Sequence, residues 1–214
     1  MIEELDRACA GSYEVVVVDD GSVDDSVSKA LNEGFPQVRL FQHPYNMGNG
    51  AAVKTGIRAA QGQWVLLMDA DGQHKPADIP RLWAQHEKYD MVVGARSKQS
   101  ATAVHRDIAN AIYNRFASYV CGRAIDDLTS GFRLIRADIA KSLVFLLPNT
   151  FSYPTTITLA VVRSSYSLAY VPIATAKRKG KSKIKLLRDG SRFFLILFKI
   201  ATLFSPLKIF VPVS

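Results

Sequence analysis

The stretch WVLLMDADGQH, residues 64–74, decides how the rest of the chain reads. Residues 64–68 are apolar without interruption, as in a short strand covered on both faces by crossover helices, and at Asp69 the sequence turns polar. Asp69 and Asp71 are separated by one residue, Gly72 lets the chain turn, and Gln73 adds a third oxygen. Hard oxygen donors therefore converge where a strand ends, which is where open parallel sheets bind ligands, and the set suits a divalent cation. An acidic turn that merely closes a strand would carry the same residues.

Upstream of this stretch, residues 2–10 read as a helix and residues 13–18 (YEVVVV) as a β-branched buried strand ending at Asp19-Asp20-Gly21-Ser22. Asp24, Asp25 and Ser26 offer caps for a helix to about residue 33, residues 38–41 form a short strand, and the Asn46 to Gly50 segment leads into a helix to about residue 61. Downstream, Pro76 starts a helix to about residue 88, residues 91–94 are a strand ending at Ala95-Arg96, and residues 103–121 are a longer helix. The polar loop Asp126-Asp127-Leu128-Thr129-Ser130-Gly131-Phe132-Arg133 then enters another strand. Residues 137–146 and 155–165 read as helices, residues 167–174 as a strand that Pro172 places at an edge, and residues 184–204 as a last helix. Strand and helix alternate at βαβ spacing, so the expected fold is α/β, with a mostly parallel sheet flanked by helices.

Hydrophobic residues make up 48% of the 214, enough for one domain with a full core. Cys9 and Cys121 lie far apart without metal-ligand spacing and read as core residues of a reducing compartment. His43, His74, His86 and His105 are scattered and read as surface or packing residues, and no signal peptide opens the chain. The net charge of +8 is concentrated: Lys177, Arg178, Lys179, Lys181, Lys183, Lys185 and Arg188 directly precede an apolar segment. Basic followed by apolar favours an anionic membrane surface over nucleic acid. In the last helix Lys185, Arg188, Arg192 and Lys199 share one face, and Leu186, Leu187, Phe193, Phe194, Leu197, Ile200 and Leu203 cover the remainder. That pattern describes a helix lying in the membrane surface, and half-burying seven such side chains contributes about 5–10 kcal/mol.

Other local motifs fail on single residues. A phosphate-binding P-loop in residues 46–55 needs glycine before Lys54, and Val53 stands there; the same Val53 occupies the third glycine of a dinucleotide fingerprint. A phosphoacceptor receiver domain would group Asp19, Asp20 and Asp69 around magnesium. It also needs Thr or Ser at the end of the next strand, which instead closes with Gly94-Ala95-Arg96.

VVDDGSVDDS, NMGNGAAVKTG, VLLMDADGQH, VVGAR, DLTSGFR and RKGKSKI occur here in one order. That series resembles family 2 inverting glycosyltransferases and, within them, the polyprenyl-phosphate sugar transferases, the group containing dolichol-phosphate mannose synthase. The resemblance implies a GT-A (Rossmann-like) fold and metal-dependent inverting transfer of a hexose from a GDP- or UDP-linked donor to a polyprenyl or dolichyl phosphate at the cytoplasmic membrane face. It further implies that Asp19 and Asp20 contact the nucleotide, that Asp69, Asp71 and Gln73 hold Mg²⁺ or Mn²⁺, and that Arg96 and Arg106 hold the acceptor phosphate. Asp127 would stand beside the acceptor, and Arg178, Ser182 and Lys183 would close over the donor diphosphate. A hydroxyl acceptor in polysaccharide or glycolipid synthesis, and an inactive membrane-bound relative, stay open as alternatives, and the reading admits a homo-oligomer. The expected division is a GT-A domain over residues 1–176 and a basic loop with a juxtamembrane amphipathic helix over residues 177–214. Relatives begin with a strand and loop that nothing before Tyr13 supplies, so the domain is expected to lack its first strand.

Overall fold

The β-branched run after Glu14 forms β1 (Val15–Asp19), which pairs in parallel with β2 (Val38–Gln42), Val15 opposite Val38 and Asp19 opposite Gln42. The computed structural model describes residues 13–23, 38–96, 104–150 and 152–175, with residues 4, 5, 9, 195, 198, 199, 202 and 206; for residues 104–110 it describes the backbone alone. After β2 come α1 (Asn49–Ala59), β3 (Trp64–Leu67), a 3₁₀ turn at Pro76–Asp78, α2 (Ile79–Trp83), β4 (Met91–Arg96) and α3 (Val104–Cys121). Then follow β5 (Arg133–Arg136), α4 (Ala137–Leu143) with a 3₁₀ turn at Val144–Leu146, α5 (Tyr153–Arg163) and β6 (Leu168–Ile173).

The second sheet has four strands in the order β3-β5-β4-β6, with β6 at an edge as Pro172 requires. It is mixed rather than mostly parallel. β4 and β6 run parallel, whereas β5 is antiparallel to both β3 and β4. The cause is the loop before β5. It returns to the carboxyl end of β4, where Asp127 meets Arg96 and the Phe132 carbonyl accepts Gly94 N–H, so β5 can only leave from that end and descend. Among the described residues β1 pairs with β2 and β3 with β5, and no main-chain ladder joins the two sheets.

Both faces of the four-stranded sheet are covered, with period-2 alternation sorting its side chains. Met91, Val93 and Ile135 face a core shared with Ile57 of α1, Ile139 of α4 and Ile157 of α5. Val92, Leu134 and Ile173 face the other way, against Ile79 and Leu82 of α2. The helix begun by Pro76 ends at Trp83 instead of residue 88, because Gln85 and His86 N–H groups bond three residues back and tighten the chain into turns. The helices expected over residues 24–33 and 184–204, the basic loop, and most of residues 2–10 lie outside the described residues; those described at 4, 5, 195, 198, 199, 202 and 206 are helical.

Asp90 ties the lower ends of three strands together. One carboxylate oxygen accepts Arg136 Nη1, and the other accepts the backbone N–H and hydroxyl of Ser167. Burial raises its pKa, but the Ser167 and Arg136 donors outweigh that and hold the carboxyl below its ordinary range. Asp90→Ala is expected to lower stability by about 1–3 kcal/mol in urea unfolding. Because the folded pKa is depressed, the contribution is present above the unfolded value and lost as pH falls through the folded one, so the deficit should shrink below about pH 4.

Candidate active site

Three chain segments meet at the carboxyl ends of β3 and β4. The chain leaves β3 at Met68 and turns through Asp69-Ala70-Asp71-Gly72, where Gly72 takes φ +74° and Asp71 Oδ1 accepts the Gln73 N–H at 3.1 Å. The loop before β5 passes directly against this turn. A Cβ at Gly131 would lie 2.6 Å from Asp69 Oδ2, so glycine lets the loop approach without displacing that carboxylate. His74 closes the arrangement from the other end, its ring stacked on Phe132 at 5.1 Å. Burial depresses the pKa of His74 despite the nearby carboxylates, which keeps its ring neutral. The charges of Asp69, Asp71, Arg96 and Asp127 all act on this one ring, so the turn and the arginine–carboxylate pair occupy the same locality.

Asp127 is buried and heavily bonded. Oδ2 accepts Arg96 Nε at 2.8 Å and the Arg96 backbone N–H at 3.1 Å; Oδ1 accepts Arg96 Nη2 at 2.8 Å and the N–H groups of Thr129 and Ser130, each at 3.1 Å. Burial by itself raises the pKa, but Arg96 and these backbone donors outweigh it and hold the carboxyl below its ordinary range. Arg96 Nη2 also donates to Thr129 Oγ1, so the guanidinium is held in one orientation at the end of β4. Behind the loop sits Arg133, with no exposed surface, donating Nε and Nη2 to the Ser130 carbonyl and Nη1 to the Pro154 carbonyl and Thr158 Oγ1. It straps the Asp127 loop to the first turn of α5.

Asp19 and Asp20 end β1 and have separate partners. Asp19 is buried and accepts the Ser22 N–H. Asp20 accepts His43 Nδ1 at 2.8 Å, Met47 N–H at 2.9 Å and Gly48 N–H at 2.8 Å, donors that outweigh burial and lower its pKa. The glycines after it serve packing. A Cβ at Gly50 would sit 2.0 Å from the Pro148 carbonyl, and the Gly50 and Ala51 N–H groups donate to Thr150 and Asn149 carbonyls. With its first donors taken by carbonyl oxygens, the start of α1 is no phosphate cradle, in keeping with the misfit of Val53.

Asp69, Asp71, Gln73, Arg96 and Asp127 are thus brought into one locality, with Asp19 and Asp20 on the neighbouring sheet. Arg106 lies on α3, where the backbone alone is described, and Arg178, Ser182 and Lys183 lie outside the described residues. Among the described residues no group of three His, Cys, Asp or Glu converges as a metal site. Two carboxylates and the Gln73 amide still form an all-oxygen donor set that fits Mg²⁺ or Mn²⁺, cations that keep waters or substrate phosphates as their remaining ligands.

Sequence reasoning missed His43, His74 and Arg133. His43 bridges Asp20 and Thr55 Oγ1, partners 23 and 12 residues away, and no local pattern reports such a link. His74 directly follows the acidic turn, and that adjacency was the available signal.

The family model of Glycosyl transferase family 2 matches residues 2–144. An undecaprenyl-phosphate 4-deoxy-4-formamido-L-arabinose transferase of Klebsiella pneumoniae is 28% identical over 88% of this chain, and a dolichyl-phosphate beta-glucosyltransferase of Trichomonas vaginalis is 34% identical over 62% of it. The chain spans 58% and 44% of the lengths of those two relatives. The structure of glucosyl-3-phosphoglycerate synthase from Mycobacterium tuberculosis, in complex with Mn²⁺, uridine diphosphate and phosphoglyceric acid, superposes with a TM-score of 0.74. That match covers 94% of this chain and 72% of the other at 16% identity, and so establishes the GT-A-like fold alone.

Proposed function

The chain belongs to glycosyl transferase family 2, and from that premise we propose that it transfers a hexose, with inversion, from a GDP- or UDP-linked donor to a polyprenyl phosphate at the cytoplasmic face of a membrane. The observation that carries this reading is the condition of Asp127. Its two oxygens already accept five hydrogen bonds between 2.8 and 3.1 Å, and its pKa is low, so it is poorly placed to take a proton from an acceptor hydroxyl. A phosphate acceptor is already an anion and needs no such base. What it needs is a cation held in place, and Asp127 fixes the Arg96 guanidinium for that purpose. The names of the two curated relatives, one an undecaprenyl-phosphate and one a dolichyl-phosphate transferase, support the same acceptor class.

In this reading Asp69, Asp71 and the Gln73 amide would hold Mg²⁺ or Mn²⁺, which when bound offsets the charge that develops on the departing nucleoside diphosphate. Asp19 and Asp20 serve the nucleotide side, Asp20 by fixing the Tyr45 to Gly48 turn through Met47 and Gly48 N–H. Arg106 joins Arg96 at the acceptor phosphate, and Arg178, Ser182 and Lys183 cover the donor diphosphate. Residues 1–176 would form the catalytic domain and residues 177–214 the membrane-surface element. The test is incubation of membranes carrying the protein with nucleotide sugars and polyprenyl phosphates, followed by mass spectrometry of the lipids. A hexosyl polyprenyl phosphate is expected, and transfer only to hydroxyl acceptors would replace this reading with polysaccharide or glycolipid synthesis.

Among the described residues no helix is long and apolar enough to cross a membrane. The sequence pattern of residues 184–204, basic on one side and apolar on the rest, supports the proposal that this segment binds in the plane of the bilayer. Cosedimentation with anionic liposomes is expected to weaken as salt rises and to be lost when residues 184–214 are deleted. Binding that survives the deletion would place the membrane contact elsewhere.

A further inference from the structure

The loop that carries Asp127 is held from α3 by two side chains one helical turn apart. Asn114 Nδ2 donates to the Asp126 carbonyl at 2.6 Å, and Asn114 Oδ1 accepts the Leu128 N–H at 3.0 Å. Ser118 Oγ accepts the Ile125 N–H at 2.9 Å and donates to the Asn114 carbonyl at 2.7 Å. Leu128 is fully buried, so its N–H needs a partner, and a carboxamide presents a donor and an acceptor side by side.

The two peptide groups that Asn114 grips are those on either side of Asp127. Peptide groups are planar, so fixing both leaves the Asp127 Cα–Cβ bond one direction. From there the carboxylate reaches Arg96 Nε and Nη2, each at 2.8 Å. The same helix carries Arg106 two turns earlier, about 12 Å along its axis. We propose that Asn114 is a positioning residue for the acceptor phosphate. By holding the peptides that flank Asp127, it sets where the Arg96 guanidinium stands and registers that cation against the helix that carries Arg106. The inference rests on the acceptor class proposed above.

Steady-state kinetics of the 214-residue chain, with polyprenyl phosphate in detergent and the nucleotide sugar that the parent uses, test it in Asn114→Ala, Asn114→Asp and Ser118→Ala. Because a misplacement of about 1 Å can cost about 100-fold, Asn114→Ala is expected to raise the acceptor KM about 10-fold or more, with the donor KM changed less than about twofold. Asn114→Asp keeps the shape and the acceptor for Leu128 N–H but turns a carboxylate oxygen toward the Asp126 carbonyl. It should fold even where alanine does not, and show the same split. Ser118→Ala removes a bond to the same loop at Ile125, before Asp127, and is the control for loosened packing. Its melting temperature should fall while both KM values stay those of the parent. Asn114 variants that lose melting temperature but keep both KM values, or Ser118→Ala with the same split, would overturn the assignment and leave Asn114 to the fold. A parent that transfers nothing to polyprenyl phosphate would overturn the acceptor reading together with the role of Asn114, an outcome distinguishable because it appears before any substitution.

Discussion

Alanine at Asp71 is expected to lower metal-dependent transfer by about a thousandfold or more, while the protein stays folded. Charge neutralisation at a departing diphosphate is worth several kcal/mol, and Asp71 supplies one of the two carboxylates in an otherwise neutral donor set. Stability should change little. Asp71 lies in a partly exposed turn outside both hydrophobic clusters, and the bond it accepts from Gln73 N–H is worth about 1 kcal/mol. Turnover measured against Mn²⁺ concentration, beside thermal unfolding, separates the two effects. Transfer at the parent rate with parent metal dependence would remove Asp71 from the site.

Replacing Arg96 with Ala is expected to damage both stability and acceptor binding, because the residue stands between a buried carboxylate and the site. Asp127 has a side chain only 7% exposed, and without the guanidinium it keeps backbone donors but loses its charged partner. Stripping one member from a buried pair typically costs about 3–5 kcal/mol, a large share of a domain's roughly 5–15 kcal/mol. The pKa of Asp127 is depressed in the folded state, so the pair's contribution is present above the unfolded carboxylate pKa and lost as pH falls through the folded value. The Arg96→Ala deficit in denaturant unfolding should therefore narrow in acid. The double variant Arg96→Ala with Asp127→Ala should recover part of the loss, as no lone buried charge remains. In kinetics, Arg96→Ala should raise the acceptor KM more than the donor KM; equal effects on both substrates would argue against contact with the acceptor phosphate.

Much of this protein was legible in the residues because the signals were local. Uninterrupted apolar runs at residues 15–18 and 64–67 marked strands, Pro76 marked a helix start, and the one-residue spacing of Asp69 and Asp71 marked an oxygen-rich turn. Six motifs in order carried the family, since their spacing along the chain needs no coordinates to read. Strand direction was different. Periodicity reports that residues 133–136 are buried and extended, but β5 runs antiparallel because a loop returns to Arg96, more than thirty positions earlier in the chain.

Tertiary structure alone likewise decided what surrounds the site residues. The family resemblance placed Asp127 beside the acceptor; the hydrogen bonds its two oxygens accept favour the role of anchor for Arg96. In the sequence Gly131 lies in a polar loop and Gly50 at the entry to a helix, whereas in the fold their missing side chains make room for Asp69 Oδ2 and the Pro148 carbonyl. Arg133 stands in the sequence at the end of a polar loop entering a strand, and in the fold it is fully buried, bonded to two carbonyls and a hydroxyl brought from as far as Thr158. The physical reason is common to all three. Composition and spacing fix which groups a segment carries and which way it prefers to fold, but the protonation state, hydrogen-bond supply and free volume around a group depend on neighbours that only the folded chain brings within 3 Å.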